Sequence, residues 1–246
     1  MYAPGELRAQ SSRSGQLTHP AVSGVDLARL RGNVAELAAT CRAWGTALAT
    51  LHTMSTRRSA TPLAARPAVL NPRRLMPSIR DAARGSGYAT VLEAYESSRD
   101  LRAAASEVDD RWTEQHWIHG NLSETNVRVE QRPALRVGFV DLENAGLGDP
   151  AWDLASAVDT IAWQSHCWRA MPQFLMDNLL QGYRRAGGPG QLYPAMQAVR
   201  ALATALRVAG SESESSRLDG ERADLTVLLE RARAYAARVG CLRAVA

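Results

Sequence analysis

The stretch from His116 to Ala155 constrains the fold more than any other part of the chain. Signals for a strand, a loop, a hairpin and a capped helix follow one another there without a break. His116-Trp117-Ile118 reads as a short strand, and the polar octet His119–Asn126 as a loop. Asn126 to Val129 and Leu135 to Asp141 are rich in apolar and β-branched residues. Gln131-Arg132-Pro133 lies between them, so the two segments predict a small hairpin. After Gly146-Leu147-Gly148 comes Asp149-Pro150. An Asp side chain can accept the free N–H groups of a helix's first turn, and proline suits the first helical position because it has no N–H to leave unpaired. A helix is therefore predicted to begin there.

On both sides of this stretch the period is helical. Leu27, Leu30, Val34, Leu37, Ala38, Cys41, Trp44, Leu48 and Leu51 recur at three- and four-residue steps. They predict an amphipathic helix, or a pair of helices, ending near Met54. A second helix is predicted over 90–108 with Leu92, Tyr95 and Leu101 facing inward. Further helices are predicted over 169–186, 191–209 and 219–239. Residues 55–80 carry four prolines and read as an irregular connection, and 211–216 as a polar loop. Residues 1–25, with Pro4, Gly5, Gly15, Pro20 and Gly24 and no alternation, read as a flexible arm. The expected organisation is that arm followed by one domain over 26–246, mainly α with a small β-hairpin.

The chain has 246 residues, 46% of them hydrophobic, enough for one core of ordinary size. No run of 18 apolar residues exists, so no membrane-spanning helix is expected. Met1 to Gly15 lacks the apolar core of a secretory signal. Cys41, Cys167 and Cys241 are scattered, which fits reduced thiols and a cytoplasmic location better than a disulfide framework. His116 and His119 read as a strand-and-loop pair with separate roles rather than as a metal site. The net charge is +4 and aromatic residues make up 6%. The basic residues are dispersed in short pairs such as Arg57-Arg58, Arg73-Arg74 and Arg184-Arg185. That is a solvated surface rather than the continuous stripe of a nucleic-acid site. All 29 basic residues are arginine. Any step that needs a lysine ammonium is closed to this chain acting alone.

The octet His119-Gly120-Asn121-Leu122-Ser123-Glu124-Thr125-Asn126 has the spacing of a kinase catalytic loop, in which His-x-Asp is followed five residues later by Asn. Phe139-Val140-Asp141 stands where a metal-binding Asp follows that loop's hairpin. The continuation Leu142-Glu143-Asn144-Ala145-Gly146-Leu147-Gly148-Asp149-Pro150-Ala151-Trp152-Asp153-Leu154-Ala155 resembles the aminoglycoside phosphotransferase family. There an Asp-x-Glu segment leads to Gly-Asp-Pro-x-x-Asp-Leu-Ala. Leu51-His52 is similar to the Leu-His that ends an early helix of the family's C-terminal lobe. The resemblance runs in order over about residues 36 to 165.

The resemblance implies the C-terminal lobe of a protein-kinase-like fold, with roles for named residues. Asn126 and Asp141 would be oxygen ligands for the Mg²⁺ of a bound nucleotide. Asn121 stands at the catalytic base position. His119 and Asp153 would brace the loop, and Asp149 would cap the following helix. Glu143 is open between metal ligand and bracing or solvated carboxylate, and Trp117 and Trp152 read as core. Three departures accompany these matches. The family template has Asp where this chain has Asn121, and an amide cannot take a proton at neutral pH. Losing a general base costs about 10²–10⁴-fold in rate. The template's phosphate-binding lysine has no counterpart. An N-terminal lobe of five strands and a helix needs roughly 55 residues, whereas 26 precede Leu27, with no Gly-x-Gly among the first 25. That lobe is expected to be absent or vestigial.

The functional expectation is a catalytically impaired kinase-like protein, a pseudokinase, acting as a binding or scaffold subunit. By analogy with relatives it would serve a bacterial natural-product or modified-peptide pathway. No cofactor is expected on this reading. The partner would be another protein, a second copy of the chain, or a peptide, with no nucleic acid or membrane involved. The partner face would include the Asn121–Asn126 loop, Leu142 and the 55–80 connection with Leu63, Val69, Leu70, Leu75 and Met76. The alternative is an ATP-dependent O-phosphotransferase acting on a small-molecule or peptide hydroxyl. It would use Mg-ATP, and a partner chain would complete the nucleotide site.

Overall fold

A computed structural model describes residues 10–11, 17–18, 23–54, 67, 69, 87–131, 134–211 and 220–245. Helix α1 (Val34–His52) begins where Asn33 closes a capping box. The Asn33 side chain accepts the Glu36 N–H at 3.0 Å and the Glu36 carboxylate accepts the Asn33 N–H at 2.9 Å. This cap splits the helical period that starts at Leu27, because Leu27–Arg29 forms a separate 3₁₀ turn. The single helix predicted over 90–108 is two, α2 (Gly87–Ser97) and α3 (Arg99–Arg111). They part at Ser98, whose hydroxyl accepts the Leu101 N–H at 3.2 Å and so caps α3. The buried face of α2 is also displaced from expectation. Val91 and Ala94 are buried, whereas Leu92 and Tyr95 are half-buried. The chain continues with α4 (Pro150–Trp168), α5 (Pro172–Arg185), α6 (Pro194–Ser211) and α7 (Gly220–Val245).

The strands form three small antiparallel sheets. Strands β1 (Gln10–Ser11) and β2 (Leu17–Thr18) pair with each other. Strand β4 (His116–Ile118) pairs with β7 (Gly146–Gly148). The predicted hairpin, β5 (Val127–Glu130) with β6 (Arg136–Phe139), gains a third strand, β3 (Val25–Asp26), giving the order β3-β5-β6. Two of these pairings involve segments with no strand signal of their own. Gly146–Gly148, to which the sequence assigns no element, is the partner of β4. The arm expected over 1–25 carries the β1–β2 ladder and ends inside a sheet, with Val25 opposite Val129 and the Asp26 side chain ion-paired to Arg128. Strands this short show no alternation of their own; distant partners define them.

Helix α4 runs between two apolar clusters and feeds both. Ala151, Trp152 and Ala155 join the cluster made with α2, α3, α6 and α7. Leu154, Ala157 and Ile161 join the one made with α1, α5 and the loop around Leu122. Such a helix is buried all round, so polar groups on it need partners. Cys41 is in the second cluster, where burial pushes its thiol up to about 12. Val69 is buried in the first. The other apolar residues of the 55–80 connection, Leu63, Leu70, Leu75 and Met76, lie outside the described residues, as does the 211–216 loop beyond Ser211. Among the described residues no helix is long and apolar enough to cross a membrane.

Helices α1 and α5 approach each other through glycine. A methyl group at Gly45 would lie 2.0 Å from Leu179 O, and one at Gly182 would lie 2.1 Å from Arg42 O. Both obstacles are backbone and cannot swing aside. Gly→Ala normally favours a helix by about 1 kcal/mol; here overpacking should outweigh it. Gly45→Ala and Gly182→Ala are each expected to lower stability by about 1–3 kcal/mol, read by urea denaturation. A neutral or stabilising result would show that the two helices can part without loss.

Candidate functional site

The carboxylate of Asp153, in the first turns of α4, is completely buried. Its Oδ2 accepts the His119 backbone N–H at 2.6 Å and meets His52 Nε2 at 3.1 Å, and its Oδ1 accepts the Gly120 N–H at 3.1 Å. On the far side of the ring, His52 Nδ1 is 2.8 Å from the Tyr183 hydroxyl, which accepts the Gly190 N–H at 2.9 Å. This geometry suits a chain in which Tyr183 O–H donates to Nδ1 and Nε2–H donates to Asp153. Burial alone would raise the Asp153 pKa. The His52 hydrogen bond, the electrostatic influence of His52 and His119, and the His119 backbone N–H together hold the carboxyl below its usual range. Burial pushes the Tyr183 hydroxyl well above its ordinary value, so it stays a donor.

The loop is set by these contacts. Gly120 has φ +81°, and a Cβ there would lie 2.4 Å from Asn144 O, so only glycine fits without strain. Its carbonyl accepts the Trp152 indole N–H at 2.9 Å. His119 Nδ1 accepts the Asn121 N–H at 3.3 Å, which leaves Nε2–H to donate to Val140 O at 2.9 Å. The ring thus ties the loop to the end of β6. From behind, the buried Arg200 of α6 donates to Leu122 O at 3.3 Å and to Ser156 Oγ at 2.5 Å.

At the loop's end Asn126 Nδ2 donates to Asn121 O at 2.9 Å and to Asp141 Oδ2 at 3.2 Å. Asp141 sits in the left-handed region, φ +61°, at the start of a 3₁₀ turn, Leu142–Asn144. Asp tolerates that region better than most residues. Its carboxylate makes no capping bond to the turn and is exposed, so one oxygen faces Asn126 and the rest of the group is open to a ligand. The Asn121 side chain is half-buried and makes no hydrogen bond to the described residues. The structure therefore brings together Asn121, Asn126 and Asp141 as two hard oxygen donors beside an unengaged amide. That set can take part in a divalent cation's shell and orient a hydroxyl.

Other residues singled out from sequence fall elsewhere. Asp149 caps α4, accepting the Ala151 N–H at 2.9 Å. Burial raises its pKa, offset in part by that bond and by Arg111, His116 and His52. Glu143 is exposed, 3.4 Å from Asn144 Nδ2. His116 Nδ1 lies 3.1 Å from His52 O, a partner unrelated to those of His119. Trp152 is core as expected, but Trp117 is only half-buried; its strand has a single neighbour and lies at an edge. Three residues of the frame were not found from sequence. His52 was noted only as a helix end, and Tyr183 and Arg200 carry no local signal that separates them from any other helical Tyr or Arg.

This loop, hairpin and capped helix, with a buried carboxylate beneath, define the phosphotransferase type of kinase-like site. Residues 6–202 match the phosphotransferase enzyme family APH, and the chain belongs to that family. Among solved structures, an aminoglycoside-3'-phosphotransferase of type VIII is 19% identical, with a TM-score of 0.52, covering 76% of this chain and 67% of that one. The choline kinase LicA from Streptococcus pneumoniae is 16% identical, with a TM-score of 0.57, covering 85% and 67%. A choline/ethanolamine kinase family protein from Mesorhizobium loti is 17% identical, with a TM-score of 0.52, covering 90% and 70%. At these identities the likeness is one of fold. A search of curated proteins finds no match.

The network around Asp153 has a pH signature. A carboxyl whose folded pKa is depressed stabilises the protein fully above its unfolded value, about 4, and this contribution is lost as pH falls toward the folded value. Asp153→Asn is expected to lower stability near neutrality by about 3–5 kcal/mol, as when one partner of a buried pair is removed. It should also flatten the loss of stability between about pH 5 and pH 3. Denaturant melts across that range check both effects. An unchanged acid limb in the variant would assign the pH dependence to other groups.

Proposed function

We propose that this member of the phosphotransferase family binds rather than turns over, as a pseudokinase-like subunit whose braced loop serves recognition. One observation carries this. The loop is held in place by Asp153, His119 and Asn126, while the base position is occupied by Asn121, whose amide makes no hydrogen bond to the described residues. An amide offers one donor and one acceptor group but no place for a proton at neutral pH. The absence of lysine supports the same reading, because a phosphate-binding ammonium would have to come from outside these residues. A scaffold of this kind acts with another protein, a second copy of itself or a peptide, and needs no cofactor.

The Asn126–Asp141 pair favours a second reading. Asn126 and Asp141 are neighbours, with Asn126 Nδ2 donating to Asp141 Oδ2 at 3.2 Å, and the oxygens these side chains carry suit the Mg²⁺ of a nucleotide, which would supply the charge that stabilises a transferring phosphoryl group. With a partner chain completing the nucleotide site, Asn121 would orient the hydroxyl of a small molecule or peptide. On this reading the chain is an impaired O-phosphotransferase that uses Mg-ATP.

Purified protein with ATP and Mg²⁺ is expected to release or transfer no phosphate above background. Asn121→Asp alone should leave it there. A restored base returns at most about 10⁴-fold, and positioning and electrostatics carry most of phosphoryl transfer. Turnover by the wild type that disappears in Asp141→Ala would replace the binding reading with the transferase reading. Light scattering and purification from the native host are expected to show a dimer or a defined complex. A monodisperse monomer without a specific partner counts against the scaffold role.

A further inference from the structure

The turn that joins α4 to α5 leaves apolar side chains in water. Met171 is 74% exposed and Phe174, one turn along α5, is 46% exposed, with Pro172 exposed between them. A single exposed apolar residue needs no explanation, but a contiguous group marks a contact surface. The same turn is one wall of an open cleft. Ala162, Arg169, Met171 and Pro172 line one side and Arg231 of α7 the other. Leu122, Ser123, Glu124 and α6 take no part in it; with Asp159 they line a separate pocket. Helix α4 has 19 residues, so this end lies about 28 Å from the end capped by Asp149.

The charge of the cleft is one-sided, because no carboxylate lines it. Arg169 ends α4 with φ +51°, its N–H accepted by Ser165 O. Glycine is the usual residue at such a helix end. The arginine here is exposed and makes no hydrogen bond or ion pair with its side chain to the described residues. Arg231 meets one carboxylate, Asp159 Oδ1, at 3.5 Å from its Nη1, and the rest of its fork has no partner among the described residues. Asp177, one turn beyond Gln173 on α5, is engaged by Gln173 Nε2 at 2.9 Å.

We propose that this cleft docks an acidic segment of a partner protein, with an Asp or Glu carboxylate between Arg169 and Arg231 and a neighbouring apolar side chain against Met171 and Phe174. This rests on the binding-subunit reading and names the partner's chemistry. Guanidinium forks match a carboxylate with paired, charge-assisted hydrogen bonds. Arginine, methionine and aromatic residues are those enriched where proteins meet. An anionic bilayer would also offer negative charge beside apolar groups. It is flat, however, whereas the Arg231 side chain is only 20% exposed and is met by a group that enters the cleft.

The test uses the full chain without ATP or Mg²⁺, so its result does not depend on whether the protein turns over. Short fluorescein-labelled peptides in a Gly/Ser background each carry one Asp or Glu and one Leu, Phe or Met, from adjacent to four positions apart. Binding is read by fluorescence anisotropy. At least one peptide should bind with a Kd below about 1 mM. Its Asn or Gln counterpart should bind at least about tenfold more weakly, a change of 1.4 kcal/mol. Arg169→Gln and Met171→Ser, both at exposed positions, should each weaken binding by about tenfold, with circular dichroism confirming that the fold is kept. The proposal is overturned if no peptide binds, if the amide counterpart binds as well as its parent, or if neither variant changes the affinity. Competition by butyrate as effective as that by the unlabelled peptide would make this a simple carboxylate site and overturn it. Partition onto phosphatidylglycerol vesicles that is lost in Met171→Ser, with no peptide bound, would reassign the face to a membrane.

Discussion

A carboxylate buried as completely as that of Asp153 stays charged only if donors replace the water it has lost. Three parts of the fold supply or support them. The end of α1 brings His52, the end of β4 brings the N–H groups of His119 and Gly120, and α5 brings Tyr183 to hold the His52 ring. Each depends on packing set elsewhere. His52 is in reach because α1 and α5 approach through Gly45 and Gly182. The loop N–H groups are in reach because β4 is clipped to β7 immediately before α4 begins. Displacing any of them would leave a buried charge short of donors, so the network ties the loop's shape to the stability of the whole lobe.

That frame determines what the loop can offer. His119, Gly120 and the amide nitrogen of Asn126 are spent on holding it: they point to Val140 O, Asp153 and Asn121 O. The Asn121 amide and the Asp141 carboxylate remain, one without a hydrogen bond to the described residues and the other exposed. An amide at the Asn121 position cannot accept a proton at neutral pH, which is what supports the proposed recognition role over proton transfer.

Two carboxylates of α4 show how environment divides identical groups. Asp153 and Asp159 are both buried, six residues apart. Asp153 receives donors at both oxygens, and its pKa is lowered. Asp159 has one ion pair, Oδ1 to Arg231 Nη1 at 3.5 Å, and an oxygen with no partner among the described residues, and burial raises its pKa. The first is a completed structural charge. The second is an incomplete one beside a pocket.

The local signals between His116 and Ala155 were enough to determine the hairpin, the capped start of α4 and the family, because each rests on residues close together in the chain. The Asp149-Pro150 signal lies in two adjacent residues, and the octet's spacing places Asn121 and Asn126 on one loop. The break at Ser98 was missed because a hydroxyl cap is weak against the helical period around it. Gly146–Gly148 and Val25–Asp26 were missed as strands because two- and three-residue strands are defined by partners far along the chain. His52, Tyr183 and Arg200 could be assigned only in three dimensions. Their roles arise from the meetings of His52 with Asp153, Tyr183 with His52 and Arg200 with Leu122, across separations of 101, 131 and 78 residues. Sequence alone determined which chemistry the loop carries; the tertiary structure decided which groups hold it and which are left free, because burial and donor geometry exist only once distant segments have packed.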